Sequence, residues 1–329
     1  MKRVCIVGCG AIGSLYAAHL ARVVEVWAFV RREDHARALN RQGLTVSGRH
    51  EFHVRLQATA DPSELPDCEL GIVATKATQV EDSMALVGCR FNQGAVISAQ
   101  NGLGSEEIIA QDTRGQVIRG TTFMSGTKHS DTHVQYELDT ATWIGPFEPR
   151  HTPYPLVKQA ADLITSSGLK AEALPDARPA QWSKLIFNAS VNGISALTGL
   201  PHSLHFADES QFSGLGFLLH ELIEEGKRVA TAAGVRLEED PWEMNKIGAR
   251  TNHPPSMLYD VRRQNTTEVD FLSGAIAREA ERHGVPAPLH TAVYRLIKGK
   301  EASWTFQDEN KPVRSSEGDE PNMAQGDKS

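Results

Sequence analysis

Lys184, Asn188 and Asn192 stand four residues apart within the otherwise apolar run WSKLIFNASVNGISAL. At about 100° per residue, that spacing places all three in one narrow sector of a helix, while Leu185, Ile186, Phe187, Val191, Ile194 and Leu197 are expected to be buried. Asparagine is a mediocre helix former because its amide competes for backbone hydrogen bonds. Two of them beside a lysine in such a helix therefore call for a reason. One reading is a polar seam satisfied by neighbouring backbone or water. The other is a row of donors aimed at a bound carbonyl or carboxylate. Where negative charge develops on such an oxygen, a nearby ammonium stabilises it and can donate a proton.

Four further polar residues stand where they could share that chemistry. Lys76 follows the strand-like run ending VAT, and Asn101 follows the run AVISA, so both fall at the carboxyl ends of strands, where open α/β sheets bind ligands. Both are candidates for the nicotinamide end of a cofactor and for substrate. Ser256 follows Pro254-Pro255 at the start of a short helix. Glu268 is expected in the first turn of a helix over 267–283, where a carboxylate would also stabilise the helix dipole. For each of the four, a purely structural role is the competing reading.

The elements that must position these groups begin with an apolar strand over 3–7. Gly8-Cys9-Gly10-Ala11-Ile12-Gly13 follows at once, and then a helix over 14–22. Strand, GxGxxG and helix in immediate succession form the dinucleotide-binding pattern. Gly8 allows the tight turn, Gly10 the close approach of a pyrophosphate and Gly13 the packing of helix on strand. The second strand, over 24–30, ends at Arg31 and Arg32 rather than at an acidic residue. Guanidinium groups suit a 2′-phosphate through charge and bidentate geometry, so NADPH is favoured over NADH.

Further strands are expected over 44–47, 51–56, 70–75, 95–99 and 116–123, alternating with helices over 79–87 and 105–111, as in an open α/β sheet. An edge region over 134–144, a helix over 154–167 and a last strand over 170–174 complete this half. Pro175 to Pro179 punctuate the chain, and the pattern beyond them is helical, including an amphipathic stretch over 209–233 and a terminal helix over 289–298. The fold class is thus α/β: a Rossmann-like nucleotide-binding domain (1–177), then an all-helical substrate and catalytic domain (178–304). Residues 305–329 are polar, acidic and expected to be a disordered tail.

Composition narrows the function classes. The 329 residues are 40% hydrophobic and 23% charged with a net charge of −7, which argues against a nucleic-acid binder. No apolar run approaches bilayer length, and the stretch before Gly8 is too short for a signal peptide. Cys5, Cys9, Cys68 and Cys89 have no CxxC or zinc spacing, and free thiols in a reducing cytoplasm are expected. No metal-ligand spacing is present among the 13 histidines.

Taken in order, GCGAIG, ATK ending in Lys76, AQNGLG with Asn101, WSKLIFNASVN, PSMLYD around Ser256 and TEVDFLSG around Glu268 resemble the ketopantoate reductase (2-dehydropantoate 2-reductase) family over residues 1 to about 300. The resemblance implies a cytoplasmic two-domain enzyme reducing the ketone of 2-dehydropantoate with NADPH, on the way to pantothenate and coenzyme A. It implies Lys184 as general acid and Glu268 at the reacting oxygen or on the lysine. Asn101, Asn188, Asn192 and Ser256 would position a small 2-oxo acid, and Lys76 would lie near nicotinamide and substrate. Arg31 matches the arginine expected at the 2′-phosphate. The chain departs from the family pattern in reading Asn265-Thr266-Thr267-Glu268-Val269-Asp270 and Leu272-Ser273-Gly274, and in carrying Gly193 after the last asparagine. A relative reducing a different 2-oxo acid is therefore an alternative, and a non-catalytic NADP(H) sensor is an alternative of another class. A helical second domain offers a face for a homodimer.

Overall fold

The computed structural model describes residues 1–208 and 214–309. Strands β1 (Arg3–Val7), β2 (Glu25–Phe29), β3 (Leu44–Gly48), β4 (Phe52–Val54), β5 (Gln57–Thr59) and β6 (Leu70–Val73) are followed by β7 (Ala95–Ser98), β8 (Gln116–Thr122), β9 (Ser125–Ser130), β10 (His133–Leu138), β11 (Thr142–Pro146) and β12 (Ala171–Ala173). Between and beyond them run α1 (Ala11–Leu20), α2 (Glu33–Gln42), α3 (Val80–Val87), α4 (Ser105–Asp112) and α5 (Tyr154–Ser166). Then come α6 (Arg178–Thr198), α7 (Leu215–Ala232), α8 (Pro241–Gly248), α9 (Ser256–Arg262), α10 (Ser273–Arg282) and α11 (Pro288–Glu309).

Eight strands form the main sheet in the order β12-β11-β8-β7-β6-β1-β2-β5. From β8 to β5 every pairing is parallel, and β11 runs antiparallel to β8. Alternation along the strands explains the layers, since successive side chains point to opposite faces. Val4, Ile6, Ile72 and Ile97 pack with α1 and α5 on one face, whereas Cys5, Val7, Val73 and Val96 pack with α3 and α4 on the other. All four cysteines are free thiols.

Two features differ from the sequence expectation. The runs over 44–47 and 51–56 are strands, but β3 and β4 leave the main sheet and pair with β10 and β9 in a second sheet, ordered β4-β3-β10-β9. The region expected at an edge splits: β10 joins that second sheet, and β11 lies inside the main one, covered by β12. Tyr16, Val46, Val134 and Tyr136 join the α1 face of the core, so apolar burial holds the second sheet there.

The C-terminal region is helical, built around α6, whose Leu185, Ile186, Val191 and Ile194 pack with Leu219, Leu222, Ile223 and Ile276. Pro179 in the first turn of α6 and left-handed Gly199 (φ 77°) after its last turn bound that helix. The terminal helix overruns its expected end: residues 305–309 belong to α11, and the rest of the expected tail, 310–329, lies outside the described residues, as do 209–213 of the predicted amphipathic stretch. No helix among the described residues is long and apolar enough to cross a membrane.

The glycine loop after β1 illustrates how tightly the first elements dock. A Cβ on Gly13 would lie 1.9 Å from the Gly8 carbonyl oxygen, whereas one on Gly10 would meet nothing within 4 Å. Gly13→Ala is accordingly expected to lower stability by about 1–3 kcal/mol, with Gly10→Ala leaving it unchanged. Thermal unfolding of the two variants followed by circular dichroism checks the contrast.

Candidate active site

The polar row on α6 begins at the seam between the α/β and helical parts. Lys184 Nζ donates to the Thr122 carbonyl at the end of β8 and lies 5.2 Å from the centroid of the Phe123 ring. Burial pushes its pKa down to about 8 against an upward pull from Glu268, so desolvation wins over the nearby carboxylate. One turn on, the Asn188 amide is half-buried and makes no hydrogen bond among the described residues. Asn192, a further turn on, is buried. Its amide oxygen accepts the Met257 N–H (3.0 Å) and the Ser256 hydroxyl (3.3 Å), which caps the start of α9. Asn188 thus keeps an unpaired amide, while Lys184 is bonded to β8 and the Asn192 oxygen fixes Ser256 in place.

Glu268 is not in a helix. It lies in a bend before α10, whose first residue is Ser273, so the dipole role suggested by the sequence does not apply. Thr267 explains the shift: its N–H and hydroxyl both donate to Glu301 of α11, at 2.8 and 2.6 Å, and hold the chain at the entry to the turns over 269–272. From that bend Glu268 reaches the other domain and accepts the Ala77 N–H at 2.8 Å. Burial raises the Glu268 pKa, opposed by the Ala77 N–H, Lys76 and Lys184 and aided by Asp260.

The loops that carry Lys76 and Asn101 are tied to each other. Gln100 donates to the carbonyls of Val73 (2.8 Å) and Thr75 (3.2 Å), joining the loop after β7 to the loop after β6. The 101–104 loop is then stapled to the Glu268 turn: Leu103 N–H donates to the Phe271 carbonyl at 3.0 Å. Gly102 (φ 97°) permits this approach, since a Cβ there would sit 2.1 Å from that carbonyl oxygen. Gln181, nearly one helical turn before Lys184 on α6, donates to the Gly102 carbonyl and to the buried Glu106, and accepts from Arg119.

One partner of this cluster was not singled out from the sequence. Asp260, at the fourth position after Ser256 on α9, is buried and forms an ion pair with Lys76. The signal was present in PSMLYD, where a spacing of four puts Asp260 on the same helix face as Ser256. Of the departures from the family pattern, Ser273 is buried with its hydroxyl 3.4 Å from the Ala189 carbonyl, and Asn265 is exposed after α9.

The glycine loop follows β1 at the same carboxyl edge of the sheet. Gly8 has φ 91°, Gly10 precedes α1 with no side-chain cap, and Cys9, Ala11 and Ile12 complete the turn. The open space at Gly10 and the uncapped helix N-terminus fit a pyrophosphate. Lys128 of β9 donates to the Cys9 carbonyl at 3.1 Å and bonds Asp131 at 3.0 Å. Beyond β2 the two arginines part company. Arg32 is held by Asp34 (2.7 Å) and Asp131 (2.5 Å), whereas exposed Arg31 has no charged partner among the described residues.

Comparison with known proteins agrees over both parts of the chain. The family model described as Ketopantoate reductase PanE/ApbA matches residues 4–149, and that of its C terminal matches 176–301. A 2-dehydropantoate 2-reductase of Archaeoglobus fulgidus is 29% identical over 303 residues, covering 92% of this chain and 99% of its own. A PanE/ApbA family ketopantoate reductase from Ralstonia eutropha JMP134 matches with a TM-score of 0.82 at 25% identity, over 92% of this chain and 100% of that one. The ternary structure of D-mandelate dehydrogenase with NADH and anilino(oxo)acetate has the same fold, with a TM-score of 0.82 at 22% identity over 92% and 100% of the two chains.

The Lys184 amine carries a test of its own. Its charged form is disfavoured by burial, so the folding penalty is full below about pH 8 and fades as pH rises toward the ordinary lysine value of 10.5. Lys184→Met is therefore expected to raise the unfolding midpoint at pH 7, with the gain shrinking as pH climbs from about 8 to 10.5. Calorimetric melts across that range check the sign.

Proposed function

The chain belongs to the ketopantoate reductase family and is an oxidoreductase acting on CH–OH groups, and from that premise we propose that it reduces 2-dehydropantoate, or a close 2-oxo acid, with NADPH. The observation that carries this reading is Lys184, whose amine crosses from α6 to the Thr122 carbonyl at the end of β8, with burial pushing its pKa down to about 8 and Glu268 pulling it up. A nicotinamide bound along the glycine loop would supply the hydride. Lys184 would hold its proton at the ketone oxygen and stabilise the charge that gathers there. Glu268, fixed by Ala77, would bias the lysine toward its charged form. Asn101 and Asn188 would orient the carboxylate, with Ser256 set by Asn192 and Lys76 set by Asp260 closing the cleft. The retention of Lys184 and Glu268 together at one seam favours an enzyme over an NADP(H) sensor, which needs neither.

Lys184→Ala is expected to lower kcat by roughly 10²–10⁴-fold while NADPH binding persists. In the unaltered enzyme, reduction should slow as pH rises through about 8, where the lysine loses its proton. A flat pH profile together with unchanged kcat in the variant would remove Lys184 from the role. Stopped assays of NADPH oxidation and fluorescence titration of the cofactor supply both readouts.

The free guanidinium of Arg31 supports NADPH as the reductant. Arg31→Ala should weaken NADPH roughly tenfold to a hundredfold with little effect on NADH. Equal losses for the two cofactors, measured by titration, would overturn the assignment.

A further inference from the structure

Arg31 and Arg32 stand side by side beyond β2, yet only Arg32 is met by a carboxylate from a distant part of the chain. Its Nη1 bonds Asp34 at 2.7 Å, and its Nη2 bonds Asp131, 99 residues further on, at 2.5 Å. Asp131 sits in the turn between β9 and β10 of the second sheet. That turn is pinned, because the Thr132 carbonyl accepts the Thr45 N–H of β3 at 2.9 Å.

Two contacts fix where the Asp131 carboxylate lies. One oxygen bonds Arg32, just past the carboxyl end of β2. The other bonds Lys128 at 3.0 Å, and Lys128 in turn donates to the Cys9 carbonyl of the glycine loop at 3.1 Å. In a Rossmann-like domain the adenosine ribose is held beside the glycine loop and the end of the second strand, where an acidic side chain takes the 2′-hydroxyl or an arginine the 2′-phosphate. The second sheet thus brings a carboxylate to the place where β2 itself offers only arginines. Burial pushes the Asp131 pKa up, but Lys128 and Arg32 outweigh it and hold the carboxyl below its usual range, so it is ionised at neutral pH. The His35 ring lies 3.3 Å from the Lys128 amine and 3.8 Å from Asp131. Burial and then Lys128 lower its pKa, so it adds no charge at neutral pH.

We infer that Asp131 is a specificity-determining residue for the nucleotide: by engaging the Arg32 guanidinium it limits the preference for NADPH over NADH. The inference rests on the reading of Arg31 as the partner of a 2′-phosphate. Asp34 belongs to the same short segment as Arg32 and occupies only the Nη1 side. The Nη2 side is the one a phosphate would have to win from Asp131, and a charge-assisted bond to a carboxylate is a strong competitor. A ribose hydroxyl, uncharged, gains far less from a released guanidinium.

Fluorescence titration of NADPH and NADH gives Kd for the unaltered protein, Asp131→Asn, Arg32→Ala and the double variant. Asp131→Asn is expected to bind NADPH about tenfold more tightly, with NADH unchanged. Arg32→Ala alone should scarcely move either cofactor, and added to Asp131→Asn it should abolish the gain. Asp131→Ala serves if Asp131→Asn fails to fold. An unmoved ratio of the two constants, as a merely structural role would give, would overturn the inference. So would a loss of NADH binding alone, the sign of a ribose hydroxyl held by Asp131, or a gain in NADPH binding that survives Arg32→Ala. The NADPH reading itself falls on a different result, an Arg31→Ala variant that weakens both cofactors alike.

Discussion

The removal of the Lys184 amine from water is the constraint on which the rest of the site depends. An ammonium is strongly hydrated, and its transfer into a seam between domains is tolerated when fixed dipoles replace some of that water. Here the replacements come from the opposite domain: the Thr122 carbonyl and the Phe123 ring face. The lysine is consequently depressed only while the two parts are docked. That docking is itself polar and crosses the same seam, through Ala77 with Glu268, Leu103 with Phe271, and Gln181 with Gly102 and Glu106. The burial of the lysine amine and the association of the two parts draw on one network, in which each buried group left without a partner would cost about 1–3 kcal/mol.

Much of this was legible in the sequence where local pattern and tertiary outcome agree. The four-residue spacing on α6 needed no context to place Lys184, Asn188 and Asn192 on one face, and GCGAIG after an apolar strand announced its turn. What could not be read was which of those groups would be left for a ligand. Asn192 looks like Asn188 in the sequence, yet its oxygen is occupied by the first turn of α9. Glu268 reads as a helix residue by its neighbours TTE, and only Glu301, on another helix, draws Thr267 out of that helix. The second sheet escaped for a related reason. Ser125–Ser130, reading SGTKHS, has no apolar alternation, and its strand exists by pairing with β10.

Arg31 and Arg32, alike in the sequence, are told apart by their partners in the same way. Asp34 and Asp131 neutralise Arg32, so a phosphate arriving at the end of β2 meets one exposed guanidinium. Exposed charges are screened over about 10 Å at 0.1 M salt, whereas the glycine loop and the α1 N-terminus act at contact distance. On the proposed reading of Arg31 as the partner of a 2′-phosphate, discrimination between the two nicotinamide cofactors would be the salt-sensitive part of recognition. As ionic strength rises, the two cofactors would then grow more alike to this protein, and the choice of reductant would be tied to the electrolyte around it.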